Sequence, residues 1–222
     1  MDRAALAKMI DHTLLSPQAT PGQMAMFCGD AVNLGVHAVC VPPNRLPLPH
    51  PSLPPEIATC TVIGFPSGAH RTEIKVAEAL QAVADGATEL DVVIDQGFAA
   101  AGLWAKVAAD IAAVRDAVPS PLVLKVIIES AALPSREAIV AACRAAEDAG
   151  ADFVKTSTGF SPAGGASLAD VRIMAEAVGG RLGVKASGGI RSTEAALALI
   201  DAGATRLGCS ATSQILDGLD HV

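Results

Sequence analysis

Aromatic side chains and positive charge are both scarce in this chain of 222 residues. Phe and Trp make up 3% of it, tyrosine is absent, and the net charge is −7 at pH 7. Nucleic-acid binding usually needs a basic surface and exposed rings on which bases can stack. The composition therefore argues against a nucleic-acid partner, and the acidic balance by itself names no other partner.

Paired cysteines and long apolar runs are also missing. The five cysteines are scattered without a C-x-x-C pair, and the five histidines show no metal-ligand spacing. Neither a disulfide framework nor a metal site is predicted. Charged residues interrupt every apolar stretch before it reaches the roughly 20 residues of a membrane helix. The N-terminus has no signal-peptide pattern, so we expect a reducing, cytoplasmic setting and no membrane association.

One sequence pattern recurs along the chain. An alanine-rich, helix-like segment ends at a glycine, and a short apolar or β-branched segment follows it. Glycine caps helices in the left-handed conformation, and the apolar segments are typical of buried parallel strands. The predicted strands lie within residues 10–15, 33–41, 58–65, 85–94, 122–129, 149–157, 182–187 and 202–210.

Eight strand–helix units in this length favour a TIM (β/α)8 barrel with a short N-terminal helix, a single domain over residues 1–222. A doubly wound sheet usually carries a glycine-rich fingerprint after its first strand, and none is present here. Ser135 and Ser192 are predicted N-caps, and Ser167 with Asp170 a capping box. Residues 41–55 hold seven of the fourteen prolines and predict an irregular crossover after the second strand.

Polar residues cluster where the predicted strands end, which is where TIM barrels carry their chemistry. Charges avoid the dry, helix-packed side of the sheet, so we expect these side chains to point into the barrel or its mouth. The candidates are Asp11, His12, Cys40, Glu89, Asp91, Lys125, Glu129, Lys155, Lys185 and Ser210.

Two interpretations of the lysines remain open from the residues alone. Lys125, Lys155, Lys185, Asp91 and Glu129 can form a structural ion-pair network inside the barrel. Alternatively, one lysine is a nucleophile that forms a Schiff base, because a second ammonium group and desolvation both favour the neutral amine. The second interpretation is supported by two lysines at neighbouring strand ends, each followed by small residues.

Two glycine-containing segments follow the last two predicted strands, "SGGI" at 187–190 and "GCSA" at 208–211. Loops in these positions commonly bind phosphate in TIM barrels, although tight strand–helix turns have the same composition. Cys40 has no histidine base in its pattern and is interpreted as a core thiol. The segment "GFPSGAHRTEIK" at 64–75 lacks the G-K-[ST] of a nucleotide loop.

The ordered motifs resemble the deoxyribose-phosphate aldolase family over almost the whole chain. They are "IDHTLL", "TVIGFPSGAHRTEIKVAEA", "GATELDVVID", "LKVIIE", "GADFVKTSTGF", "GVKASGGIR" and "GATRLGCS". The resemblance implies a class I aldolase on a TIM barrel that needs no metal and no organic cofactor. It also implies reversible cleavage of 2-deoxy-D-ribose 5-phosphate to acetaldehyde and D-glyceraldehyde 3-phosphate, in a homo-oligomer for which dimer and tetramer are both open.

The resemblance also implies roles for individual residues. Lys155 corresponds to the Schiff-base lysine, Lys185 to a second lysine that favours its neutral amine, and Asp91 to the proton-transfer carboxylate. The implied substrate and phosphate contacts are Thr158, Gly159, Gly188, Gly189 and Ser210, with Asp11 at a substrate-hydroxyl contact and Cys40 nearby.

The chain departs from the family pattern in four places. The proline-rich stretch replaces a helix, Asp95 stands where Asn is common, Ala211 replaces a second serine, and the C-terminal tyrosine of some relatives is missing. Two other functions remain: a different Schiff-base aldolase, such as a transaldolase with ketose donors, and a non-catalytic barrel that binds sugar phosphates.

Overall fold

Eight parallel strands close into a barrel in a computed structural model that describes residues 1–49 and 53–221. Each strand pairs with the next one along the chain, and β8 pairs with β1. The strands are β1 (Ile10–Thr13), β2 (Ala38–Val41), β3 (Ala58–Ile63), β4 (Glu89–Val93), β5 (Val123–Ile127), β6 (Phe153–Lys155), β7 (Gly183–Ser187) and β8 (Arg206–Cys209). The predicted TIM barrel and all eight of its strands are confirmed.

Helices connect the strands and cover the outside of the barrel, and a short helix precedes β1 as predicted. They are α1 (Arg3–Ala7), α2 (Pro21–Leu34), α3 (Thr72–Ala84), α4 (Gln96–Ala100), α5 (Trp104–Ala117), α6 (Arg136–Asp148), α7 (Leu168–Val178), α8 (Thr193–Asp201) and α9 (Thr212–Asp217). In the part of the chain that the structure describes, no helix has the length and apolar character needed to cross a membrane.

The hydroxyl groups of Ser135, Ser167 and Ser192 accept hydrogen bonds from the first turns of α6, α7 and α8, which confirms the three N-caps. The second half of the predicted capping box is wrong. The carboxylate of Asp170 accepts a hydrogen bond from Ser130 Oγ at 2.9 Å instead of bonding back to Ser167. This contact ties α7 to the segment that follows β5.

The crossover from β2 to β3 is irregular, as the prolines predict. Between these strands the described residues 42–49 and 53–57 contain one 3₁₀ turn, Pro43–Arg45, and no α-helix. The predicted stretch also includes residues 50–52, which lie outside the described residues. The later part of the crossover lies away from the polar strand ends, because Pro47, Leu48 and Pro54 share a pocket with Asp85, Gly86 and Thr88, which precede β4.

Alternation along the strands separates an apolar outer surface from a partly charged interior. In β4, Leu90 and Val92 belong to the main core between strands and helices, whereas Asp91 points inward. A second, smaller apolar cluster lies inside the barrel on β2 and β3 and consists of Ala38, Cys40, Cys60 and Val62. The interior is thus apolar along two strands and charged along the others.

Candidate active site

The charged part of the barrel interior holds acidic and basic side chains that are nearly excluded from solvent. Its members are Asp11, Glu89, Asp91, Lys125, Lys155, Lys185 and Arg206, and the most exposed of them retains 8% of its accessible surface. Burying so many charges is costly unless each is paired, and every one of them has an ion-pair partner in this cluster.

Asp91 is the centre of this network. Its Oδ2 accepts hydrogen bonds from Lys155 Nζ at 2.7 Å and Lys185 Nζ at 2.6 Å, and its Oδ1 accepts one from Lys125 Nζ at 2.8 Å. Burial alone would raise the pKa of Asp91, but the three ammonium groups outweigh burial and hold the pKa well below its ordinary value. Asp91 is therefore ionised at neutral pH.

Lys185 lies between two carboxylates, those of Asp91 and Asp11. Its stem passes close to Gly208 on β8, where a Cβ atom would come within 3.2 Å of Lys185 Cε. Burial would lower the pKa of Lys185, but the two carboxylates raise it above the ordinary lysine value. Lys185 thus carries a permanent positive charge.

Lys155 differs from the other interior lysines in its access to solvent. It is the last residue of β6, and of the three it alone lines a cavity of about 410 Å³ at the mouth of the barrel. Its side chain is 3% exposed, whereas those of Lys125 and Lys185 are fully buried. A small molecule in this cavity can reach the amine of Lys155 without disturbing the rest of the network.

The predicted phosphate contacts meet at the same cavity, which is lined by Thr158, Gly159, Gly188, Gly189 and Ser210. Gly188 and Gly189 have φ values of 90° and 81°, a conformation that residues with a Cβ rarely adopt. A Cβ on Gly188 would also approach Gly165 Cα to 3.0 Å. The loops after β6 and β7 therefore pack backbone against backbone, which explains the small residues after both lysines.

The N–H groups of Gly188 and Gly189 have no protein acceptor among the described residues. Arg191, two residues further on, also lines the cavity and is exposed. Arg191 was not among the residues predicted from the sequence, although a cation two residues after Gly-Gly is a usable signal. Free N–H groups with an arginine beside them suit an anionic group such as phosphate.

Asp11 and Cys40 lie in the interior and do not line the cavity. Asp11 bonds Lys185 and Arg206, the latter at 2.8 Å, and the cations hold its pKa below the ordinary value despite the opposing effect of burial. Cys40 belongs to the small apolar cluster on β2 and β3, in agreement with its interpretation as a core thiol. Arg206 was another residue that the sequence reasoning missed.

Glu89 was predicted at the end of a strand, which is wrong, because it is the first residue of β4. It lies at the opposite end of the barrel, where it pairs with Lys125 at 2.6 Å, Arg206 at 3.2 Å and His37 at 3.0 Å. Burial would raise the pKa of Glu89, but these three partners lower it to about 2. Glu89 therefore contributes ion pairs at the end of the barrel opposite to the cavity.

One of the two open interpretations placed Glu129 in the lysine network, and the structure contradicts this placement. It follows β5 in the left-handed conformation, with φ 51°, and this turn directs its buried carboxylate towards the loop after β6. There it accepts hydrogen bonds from Thr158 Oγ1 at 2.7 Å and from Thr158 N at 3.3 Å. Glu129 therefore holds a residue of the cavity wall rather than a lysine.

His12 was a strand-end candidate that the structure assigns to packing. Its Nδ1 lies 2.8 Å from Thr212 Oγ1, and its ring stacks on Phe27 with centroids 4.2 Å apart. Burial lowers the pKa of His12 to about 4, so the ring is neutral at physiological pH. These two contacts connect β1 to α2 and α9.

Comparison with known proteins shows the family of the chain. Residues 5–211 match the model of the DeoC/LacD family of aldolases. The chain belongs to this family. The resemblance proposed from the motifs is thereby confirmed, and the family match covers both lysines, Asp91 and every residue of the glycine loops.

Curated relatives within the family extend over nearly the full chain. A deoxyribose-phosphate aldolase of Kocuria rhizophila is 61% identical over 218 residues, which is 98% of each chain. One of Corynebacterium diphtheriae is 58% identical over 217 residues, again 98% of each chain. The chain therefore matches its relatives from end to end rather than in one motif.

Solved structures of aldolases share the fold. An aldolase designated QR15 superposes with a TM-score of 0.91 and 39% identity, covering 97% of this chain and 96% of that one. A deoxyribose-phosphate aldolase of Aeropyrum pernix, described as having a unique tetrameric structure, superposes with a TM-score of 0.86 and 32% identity, covering 99% and 92%.

Proposed function

We propose that this protein is a class I aldolase that reversibly cleaves 2-deoxy-D-ribose 5-phosphate to acetaldehyde and D-glyceraldehyde 3-phosphate. The observation that carries the proposal is the setting of Lys155, whose amine lines the cavity and lies 2.7 Å from Asp91. Family relatives named for this activity, at 58–61% identity, support the choice of substrate.

The reaction begins when the neutral amine of Lys155 attacks the aldehyde carbon of the sugar. Lys185 favours this neutral form because its own positive charge is fixed next to the same carboxylate oxygen. The proton of the Lys155 ammonium leaves through Asp91 Oδ2 to water in the cavity. Loss of water from the resulting carbinolamine gives an iminium ion on Lys155.

The iminium ion then accepts the electrons of the breaking C2–C3 bond. The 3-hydroxyl loses its proton and becomes the aldehyde of glyceraldehyde 3-phosphate, while the two remaining carbons form an enamine on Lys155. Asp91 and cavity water return a proton to this enamine, and hydrolysis releases acetaldehyde and the free lysine. Since this chain has no tyrosine, water takes the part that a tyrosine performs in some relatives.

The phosphate occupies the glycine-lined end of the cavity. The N–H groups of Gly188 and Gly189, the hydroxyl of Ser210 and the guanidinium of Arg191 supply its donors, with Gly159 and Thr158 forming the adjacent wall. Binding at this remote group orients the aldehyde towards Lys155 and so contributes to turnover as well as to affinity.

Borohydride trapping tests the assignment. Acetaldehyde with borohydride should leave a two-carbon adduct on Lys155, detected by intact mass and located by peptide mapping. The variant Lys155→Arg serves as the control and should remain unmodified. A transaldolase would instead be trapped with a ketose donor, and a non-catalytic barrel with neither. An adduct on a different lysine would overturn the role of Lys155.

The remaining expectations are part of the same proposal. We infer that residues 1–222 act as one domain, in the cytoplasm, without a metal or an organic cofactor, and as a homo-oligomer. The tetramer described for the Aeropyrum pernix relative supports an oligomer, for which a dimer is the other candidate. Light scattering after size-exclusion chromatography distinguishes the two, and activity retained in EDTA tests the absence of a metal requirement.

A further inference from the structure

Two cysteines face each other inside the barrel, and the proposed reaction uses neither thiol. Cys40 on β2 and Cys60 on β3 are in register as direct neighbours, and both are fully buried. Their side chains point to the same side of the sheet and belong to the small interior apolar cluster. The other three cysteines, Cys28, Cys143 and Cys209, belong to the outer core.

The geometry of the pair fits a disulfide bond. Neighbouring strands lie about 4.8 Å apart, which is within the range of roughly 4.4–6.8 Å between the Cα atoms of bonded cysteines. The two Sγ atoms and a carboxylate oxygen of Asp91 all lie within 4.8 Å of one another. Rotation about the Cα–Cβ bonds can bring the sulfur atoms together, because the spacing of the strands already suits a disulfide.

The two thiols have different surroundings. The neighbouring Cys60 thiol and the ammonium groups of Lys185 and Lys155 lower the pKa of Cys40 against the opposing effect of burial. Burial raises the pKa of Cys60 well above its ordinary value. Because the sulfur of Cys60 is already engaged by Asp91 and Lys125, Cys40 is assigned as the thiol that reacts first and Cys60 as the one that reacts second.

Cys60 connects the pair to the catalytic carboxylate. Its Sγ donates a hydrogen bond to Asp91 Oδ1 at 3.3 Å, and Lys125 Nζ lies 3.3 Å from the same sulfur. One carboxylate group thus separates Cys60 from Lys155, which lines the cavity. Both thiols are fully buried and neither lines the cavity, so the approach of hydrogen peroxide to the pair leads past Lys155 and Asp91.

We propose that Cys40 and Cys60 are a modification site for peroxides, at which they form a reversible intramolecular disulfide that inactivates the enzyme. The Cys40 thiolate attacks one oxygen of hydrogen peroxide, the O–O bond breaks, and the departing hydroxide takes up a proton as water. The sulfur of Cys60 then displaces the hydroxyl of the sulfenic acid, and the thiol proton of Cys60 leaves with it as a second water. Two thiols and one peroxide become one disulfide and two waters.

Inactivation follows from the link to Asp91. The disulfide removes the S–H donor from Asp91 Oδ1 and changes the position of the sulfur that Lys125 contacts. Because the same carboxylate serves Lys155, the proton transfers of the reaction are disturbed. The loss of activity rests on the proposed function, whereas formation of the disulfide does not.

The test is titration of the whole protein with hydrogen peroxide. Free thiols are blocked with N-ethylmaleimide under denaturing conditions, and non-reduced peptides are mapped. We expect a peptide pair joined through Cys40 and Cys60, with deoxyribose-phosphate cleavage lost in proportion to the joined fraction and restored by dithiothreitol. Cys60→Ala should lose this reversible phase, whereas the control Cys143→Ala should retain it.

The other possible outcomes separate the Cys40–Cys60 modification site from the proposed aldolase function. Inactivation without the Cys40–Cys60 cross-link, or equal reversible inactivation of Cys60→Ala, would overturn the modification site. If Cys60→Ala does not fold, the cross-link map of the unaltered protein decides the question alone. A cross-link in a protein that never cleaves the sugar phosphate would keep the site and overturn the proposed function.

Discussion

Lys155 and Lys185 donate hydrogen bonds to the same atom, Oδ2 of Asp91, at 2.7 and 2.6 Å. They are also direct neighbours in the register of β6 and β7. Two ammonium groups at this separation repel each other, and only one of them has a second carboxylate, since Lys185 also bonds Asp11. Lys155 is therefore the member of the pair with fewer carboxylate partners.

The first prediction concerns Lys185→Leu. Removing the fixed charge beside Lys155 should shift imine formation to higher pH and slow it by roughly 100-fold or more at neutral pH, a size typical of proton-transfer effects in active sites. The rate of borohydride trapping as a function of pH measures both effects. Lys106→Leu, at an exposed position on α5, is the control. An unchanged pH profile would contradict the electrostatic role.

Ser210→Ala tests the phosphate end of the cavity. A hydrogen bond to a charged group contributes about 1.5–3 kcal/mol, so kcat/KM for the phosphorylated sugar should fall roughly 10- to 100-fold. Turnover of plain 2-deoxyribose should change little, because this substrate has no phosphate to lose. Steady-state kinetics with both sugars make the comparison. Equal losses of kcat/KM on both sugars would mean that Ser210 stabilises the fold or the reacting centre and does not bind the phosphate.

Glu129 is expected to act through Thr158. Glu129→Ala should loosen the cavity wall and raise KM for the sugar phosphate more than it lowers kcat, because the residue does not touch the reacting atoms. A double-mutant cycle with Thr158→Val should give a coupling free energy of about 1–2 kcal/mol. Additive effects of the two substitutions would show that the contact does not position the wall.

The stability of the protein in acid depends on Glu89. Its pKa is lowered from 4.5 to about 2 in the folded protein, so its stabilising contribution is complete above pH 4.5 and is lost as the pH falls towards 2. At about 1.4 kcal/mol per pH unit, this contribution is roughly 3 kcal/mol.

Glu89→Gln should therefore lower the free energy of unfolding at pH 7 and make its decline between pH 4.5 and 2 shallower than in the unaltered protein. Urea unfolding at a series of pH values measures both effects. Asp116→Asn, at an exposed position on α5, should leave the decline unchanged. An equally steep decline in Glu89→Gln would assign the acid sensitivity to Asp11 and Asp91.

The barrel and the position of Lys155 could be predicted because both depend on local signals. Glycine at the helix ends and apolar strands of regular spacing define the eight units. A lysine at the end of such a strand extends into the barrel interior or its mouth, because helices cover the outer face of the sheet. The directions of Glu89 and Glu129 could not be predicted. The direction of Glu89 depends on which end of β4 it occupies. The direction of Glu129 depends on its left-handed backbone conformation, which is uncommon at a residue other than glycine.

Contacts between side chains on different strands could not be predicted from the sequence either. That Cys40 faces Cys60 depends on the register of β2 and β3, which the barrel as a whole determines. Arg206 was missed for a related reason. It opens β8, and its pairing with Asp11 and Glu89 requires three strands to be placed at once.

The charges of the barrel interior do not balance. Four cations, Lys125, Lys155, Lys185 and Arg206, face three carboxylates, Asp11, Glu89 and Asp91, which leaves one excess positive charge in a nearly dry space. Departure of a single proton from Lys155 makes the interior neutral. Formation of the iminium restores the excess charge, and its collapse to the enamine removes it again. The proposed reaction on Lys155 would therefore alternate the net charge of the buried interior between one and zero.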